Sequence, residues 1–151
     1  MEEKLRALCL LQMRIHRMRH RIIDSRIQSL GIHPGQHFVL VQLKKADGIP
    51  TQAKLAEEMN VSPALVARTL KQLEGGGYIR REGSRSDGRC NETSITEKGE
   101  GVLREGMEIF RDVDARSFAG FSDAELDQFR RLLEKMMQNM VPMEQKELKE
   151  I

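Results

Sequence analysis

Apolar residues recur at three- and four-residue intervals through the first part of the chain. Leu5, Leu8, Leu11, Ile15, Met18 and Ile22 fall on one face of a helix. Neither glycine nor proline interrupts the pattern before Gly31, so the spacing predicts one long helix over residues 3–30. Pro34 can open a second helix, because its missing N–H falls where a helix start has no partner anyway. That helix carries Phe38, Leu40, Val41 and Leu43, and Gly48 lies just past its end. Ile49-Pro50 is long enough only for a fragment of strand.

The pattern then shortens. Thr51 is placed to cap a helix over Gln52–Met59, Asn60-Val61-Ser62 forms a turn, and Ser62 caps a further helix with Pro63 at its first position. Val61 and Val66 flank that start at the spacing of a hydrophobic staple. Val66, Leu70 and Leu73 make its inward stripe, and Gly75-Gly76-Gly77 stops it. Tyr78–Arg81 and Cys90–Ile95 read as the strands of a hairpin, with Gly83–Gly88 between them. Thr96 caps a long helix toward residue 118. Ser122 and Glu125 form a capping box, with Phe121 and Leu126 at staple positions. The last helix is expected to end near Asn139, with Pro142 just past it and a charged, frayed end from Glu144 to Ile151. The fold class is therefore mainly α with one small β-hairpin. Its organisation is a single structural domain, in which residues 33–99 form a lobe and residues 1–32 and 100–151 form a helical flanking region.

Composition narrows the function. The chain has 151 residues, 39% hydrophobic and 32% charged, the size of one soluble domain. The longest apolar run, Ala7 to Leu11, is far too short to span a bilayer, and Met1-Glu2-Glu3-Lys4 lacks the start of a secretory signal, so a cytoplasmic location and no membrane partner are expected. The two cysteines, Cys9 and Cys90, are too few and too far apart for a disulfide framework. The net charge is only +2, but its distribution is uneven. Residues 1–99 carry 17 Lys/Arg against 11 Asp/Glu, whereas residues 100–151 carry 8 against 12. The basic part can face phosphate while the acidic part faces away. No nucleophile motif, phosphate-cradling glycine loop or His/carboxylate group is present, which argues against an enzyme and against a cofactor.

Two short helices joined by a tight turn place the second helix in a DNA major groove, with its N-terminal residues nearest the bases. Here these are Ser62, Pro63, Ala64 and Leu65, followed one turn later by Arg68. Ser62 and the free N–H groups of the helix start suit a phosphate oxygen. Arg68 can donate two hydrogen bonds to guanine, and Ala64 and Leu65 can pack on a thymine methyl. Thr69, Lys71 and Gln72 lie further along the helix. Thr51 and Gln52, at the start of the preceding helix, complete this set of candidate contacts. At the hairpin tip, Arg85 and Arg89 suit the negative potential of a narrow minor groove, and Asp87 can pair with an arginine and orient it.

Several of these segments together resemble the MarR family of winged helix-turn-helix regulators. They are Leu55-Ala56-Glu57, Val61-Ser62-Pro63, Leu73-Glu74-Gly75-Gly76-Gly77-Tyr78-Ile79, Asp87-Gly88-Arg89 and Ile95-Thr96-Glu97-Lys98-Gly99. With the long first helix, the resemblance spans nearly the whole chain. It implies a homodimer built from the first helix and the last two, acting at near-palindromic double-stranded DNA. It also implies that Arg89 enters the minor groove while Asp87 steadies the wing. One departure is that Ala64, Leu65 and Ala67 sit where the family often has hydroxyl side chains, so direct base reading is thinner.

The resemblance further implies an effector pocket between the first, second and fifth helices. His16, Arg17, His20, Arg21 and His37 are candidates to line it, and they favour a small anionic effector whose binding releases a repressor from DNA. Other readings compete. His16 and His20 share a helical face, and His33 and His37 repeat that spacing, but no further ligand stands beside either pair, so no metal site is assigned. Cys9 lies among leucines, with no basic residue directly beside it to favour a thiolate, which argues against a redox role. A metal- or thiol-sensing regulator, or a nonspecific nucleic-acid or protein-interaction module, remain the alternatives.

Overall fold

The computed structural model describes residues 1–45, 52–83 and 91–147. Among these there are six helices and one antiparallel pair of strands, in the order α1 (Glu2–Gln28), α2 (Pro34–Lys45), α3 (Gln52–Met59), α4 (Pro63–Gly75), β1 (Ile79–Gly83), β2 (Asn91–Ile95), α5 (Glu97–Ser117) and α6 (Asp123–Glu147). The mainly helical fold class with a small hairpin is thus present. The chain divides into two compact units, Met1–Asp114 and Ala115–Ile151.

The first unit holds the core. Ile23 and Ile27 of α1, Val39 and Leu40 of α2, Leu55 of α3, Val66, Leu70 and Leu73 of α4, Ile79 of β1 and Leu103 of α5 are all buried. The i, i+4 and i, i+3 steps within each helix put these residues on one face. On α1 the buried pair is Ile23 and Ile27, which is not the stripe that runs from Leu5 to Ile22. Residues 1–18 are exposed throughout, and the stripe with them: Leu8 is 63% exposed and Ile15 is 56%.

Local chemistry sets the boundaries around the short helices. Asn60 adopts a left-handed φ of 51°, which an asparagine tolerates better than most residues, and the Val61 N–H donates back to the Ala56 carbonyl at 3.0 Å. The chain so reversed brings Ser62 to the start of α4, where its hydroxyl oxygen accepts from the Leu65 N–H at 3.3 Å. At the other end of α4, Gly77 takes a φ of 73°, and the Tyr78 N–H donates to the Leu73 carbonyl at 2.9 Å.

The strands pair from Ile79 opposite Ile95 to Gly83 opposite Asn91. The start of α5 locks onto their base. The Thr96 N–H donates to the Tyr78 carbonyl at 3.0 Å, the Thr96 hydroxyl donates to the Gly77 carbonyl at 2.7 Å, and the Lys98 ammonium donates to the Gly76 carbonyl at 2.7 Å. The same ammonium lies 4.3 Å from the Tyr78 ring centroid. Gly99 permits this approach, because a Cβ there would stand 2.1 Å from the Tyr78 carbonyl oxygen. The Ile95–Gly99 segment is therefore a clamp that fixes the hairpin to α5.

In the second unit, the capping box forms as expected. The Ser122 N–H and hydroxyl both donate to the Glu125 carboxylate, at 2.9 and 2.7 Å, and hold its pKa below the usual value. The end of α6 differs from expectation. The helix does not stop near Asn139 but runs through Pro142 to Glu147. A proline removes one backbone hydrogen bond, and the Met, Glu, Gln and Lys residues that follow it are good helix formers.

Candidate nucleic-acid interface

α4 presents two faces. Val66, Leu70 and Leu73 face the core, as the sequence pattern requires. Ser62, Pro63, Ala64, Leu65, Arg68, Lys71 and Gln72 are exposed. Leu65, Arg68 and Gln72 follow one another at helical steps of three and four, so they form one outward row beyond the capped N-terminus. Leu65 is 45% exposed, a large apolar side chain held toward solvent at the start of a helix. In the first turn of α4 Pro63 has no N–H, and the Leu65 and Val66 N–H groups donate to the Ser62 carbonyl, which leaves the Ala64 N–H as the donor there. A capped helix start, an exposed arginine and an apolar contact surface are thus assembled on one side of α4.

Thr69 departs from the expected set. It is 7% exposed, and its hydroxyl donates to the Leu65 carbonyl at 2.9 Å. The helical rotation that puts Arg68 outside turns Thr69 inward, and the hydroxyl is spent on its own helix. Gln52 opens α3, but its side chain lies outside the described residues, as do Thr51 and the hairpin-tip residues Arg85, Asp87 and Arg89. Arg80 of β1, which the sequence reading did not single out, is exposed on the described part of the hairpin.

Within the first unit a second concavity lies between α1, α2 and α5. This cleft, of about 580 Å³, has an apolar lining that includes Ile23, Ile27, Phe38, Val41, Met107 and Phe110. Its volume lies within the range of about 300–1,000 Å³ that suits small molecules. Of the five candidate effector residues, His20 and His37 line it. His16, Arg17 and Arg21 do not; with Arg14 and His20 they line a separate shallow surface on α1. The i, i+4 step that brings the His16 and His20 rings to 4.5 Å between centroids carries Arg17 and Arg21 along the outer face. No third His, Cys, Asp or Glu joins a possible metal-holding group among the described residues. Cys9 is exposed on α1.

His37 is the most constrained of these side chains. It is 2% exposed, it stacks on Phe110 with centroids 5.8 Å apart, and its Nε2 has no hydrogen-bond partner. Burial lowers its pKa, and the Leu103 carbonyl, acting as acceptor, offsets part of that effect. Gly106 makes room for the ring, because a Cβ there would lie 1.9 Å from Nε2. The Arg19 guanidinium carbon sits 5.9 Å from the Phe110 ring centroid. Arg19 in turn donates from Nη2 and Nε to one Asp114 oxygen, at 2.8 and 3.3 Å. Two further ion pairs hold α5 to its neighbours: Arg26 with Asp112 at 2.6 Å, and Lys44 with Glu100 at 2.7 Å.

The MarR family model matches residues 32–91, a span that runs from two residues before α2 to the first residue of β2. Solved structures extend the likeness to nearly the whole chain. A MarR family protein from Bacillus stearothermophilus is 25% identical, with a TM-score of 0.75 over 93% of this chain and 98% of that one. A mutant MepR from S. aureus, solved bound to an oligodeoxyribonucleotide, is 23% identical, with a TM-score of 0.64 over 88% of this chain and 97% of that one. CouR from Rhodococcus jostii RHA1, solved bound to p-coumaroyl-CoA, is 22% identical, with a TM-score of 0.66 over 85% and 90%. The capped helix after a tight turn lies within the matched segment, so residues 32–91 are similar to the MarR family, and the chain as a whole shares the winged helix fold of these structures.

Proposed function

We propose that this protein is a cytoplasmic, sequence-specific regulator that binds a near-palindromic operator as a homodimer and represses transcription until a small ligand releases it. The observation that carries this reading is the outward row of α4. The start of α4, with the exposed Ser62 and the Ala64 N–H, meets phosphate, Arg68 reads a base edge, and Leu65 packs on a thymine methyl. Ala64 and Gln72 extend the same row. Thr51, Gln52, Arg85 and Arg89 add contacts from the neighbouring segments, with Asp87 orienting an arginine. The DNA-bound MepR structure supports a role of this kind for a chain of this fold.

The homodimer rests on exposed apolar surface. Leu5, Leu8, Leu11 and Ile15 on α1 are each more than half exposed. In the second unit, Phe118, Leu126, Phe129, Leu133 and Met137 line an apolar concavity of about 350 Å³. Patches of this extent mark association surfaces, and a second copy covers them. The α1–α2–α5 cleft is the site proposed for the ligand, and the CouR complex supports ligand control on this fold. Of the residues proposed to favour an anion, His20 and His37 line this cleft, whereas Arg17 and Arg21 lie on the separate surface of α1.

Selection of bound fragments from random duplex DNA tests the reading. A regulator of this kind enriches an inverted repeat whose half-sites are roughly 10 bp apart, centre to centre. Enrichment of no motif, with equal binding to all fragments, contradicts it and leaves a nonspecific nucleic-acid module.

A further inference from the structure

We propose that the α1–α2–α5 cleft takes a hydrophobic ligand that carries a cationic amine, with Asp24 as its counter-ion; this rests on the cleft being a ligand site. The inference comes from which charges at the cleft wall are already spent. Arg19 directs its Nε and Nη2 donors to one Asp114 oxygen and has its guanidinium carbon 5.9 Å from the Phe110 centroid. A ligand carboxylate seeking Arg19 has to share it with that aspartate, whose charge offsets part of the attraction. The His37 imidazole at the wall is buried and stays neutral around pH 7, since burial lowers its pKa from 6.5.

The remaining charged groups on the lining are Asp24, Lys45 and Glu58, together with the titratable imidazole of His20. None of the three charged groups has an ion-pair partner among the described residues. Free carboxylates therefore outnumber free ammonium groups. Asp24 lies on α1 one residue from buried Ile23 and three from buried Ile27, and it is itself half-buried, whereas Lys45 is exposed at the end of α2. A carboxylate in such a position is screened less than one in open water, and an amine that reaches it makes a charge-assisted hydrogen bond. Phe38, exposed on the lining, supplies a ring that attracts the same cation. An anion meets the opposite field and gains no unpaired cation deeper than Lys45.

Three probes with one ring system separate the possibilities: naphthylmethylamine, naphthylmethanol and naphthoate, titrated by calorimetry into the full-length protein at pH 7. The amine is expected to bind roughly fivefold more tightly than the alcohol, as for a partly exposed ion pair, and about tenfold more tightly than the carboxylate. Asp24→Asn brings the amine down to the affinity of the alcohol and leaves the alcohol unchanged. Glu58→Gln, at an exposed site that does not threaten folding, lowers amine affinity by a smaller factor. Thermal melting of both variants confirms that each is folded. Naphthoate binding as tightly as the amine, an amine affinity indifferent to both substitutions, or no binding of any probe overturns the proposal. Release of a selected operator fragment is read separately in a mobility-shift assay. If the amine binds in the predicted order but the operator stays bound, the ligand class stands and ligand control of DNA binding falls. If naphthoate binds best and releases the operator, ligand control stands and the ligand class falls.

Discussion

The lobe formed by α2 to β2 and the exposed lengths of α1 and α6 have similar apolar periodicity but use it differently. In α4 the stripe Val66, Leu70 and Leu73 is buried to 4% exposure or less. In α6 the stripe Leu126, Phe129, Leu133 and Met136 is between 37% and 45% exposed, and on α1 Leu5 to Ile22 is exposed as well. An apolar stripe is an instruction to bury a face, but it does not say against what. The lobe satisfies that instruction within its own chain. The long helices leave it unsatisfied, and a homodimer is what we propose to satisfy it.

Core truncation breaks this contrast most strongly. Leu73→Ala removes a fully buried side chain and should cost about 2–5 kcal/mol of stability, whereas Leu132→Ala, at a site 58% exposed, should leave the folding of an isolated chain nearly unchanged. Urea melts of the two variants, run at several protein concentrations, make the comparison. Equal losses at low concentration would mean that α6 is not waiting for a partner. Leu133→Asp sharpens the other side of it. By placing a charge in the proposed dimer surface, it should shift sedimentation from dimer to monomer at micromolar concentration while helical circular dichroism persists.

Close backbone approach gives the next effect. Gly106→Ala drives a methyl into the His37 ring and should cost about 1–3 kcal/mol, as overpacking does. His37 also gives the lobe a pH dependence whose sign is fixed. Its folded pKa is depressed below 6.5, so the unfolded chain takes up the proton first. Stability is therefore fully present above pH 6.5 and declines as pH falls from there toward the folded pKa. Denaturant melts between pH 7.5 and 5 check this, and His37→Gln should flatten that slope. The smallest effect is at a cap: Ser62→Ala should cost about 1 kcal/mol, because the Leu65 N–H loses its side-chain acceptor.

Much of the fold was legible because its signals are local. Ser62 before Pro63, Thr96 before Glu97 and Ser122 with Glu125 each act within one helical turn, and all three caps form. The site was legible only in part. A stripe drawn through Leu5 to Ile22 could not reveal that α1 turns Ile23 and Ile27 to the core, because that choice depends on α2 and α5. The inward turn of Thr69 is a matter of one residue of helical rotation. The exclusion of Arg17 and Arg21 from the cleft, and the presence there of Asp24 and Glu58, follow from which helices meet. The roles of Gly99 and Gly106 depend on approaches from Tyr78 and His37, distant in sequence. Glycines of this kind give no periodic signal, although Gly99 stands within a recognisable family segment.

The central claim is that the outward face of α4 reads DNA sequence. The most direct measurement is the affinity of wild type and Arg68→Ala for the selected operator and for a scrambled duplex, at one fixed salt concentration. Wild type should prefer the operator, and Arg68→Ala should lose about 1–3 kcal/mol on the operator, relax preference at one base pair and change little on the scrambled duplex. Equal binding of both duplexes by wild type, or an equal loss on both with Arg68→Ala, would contradict it.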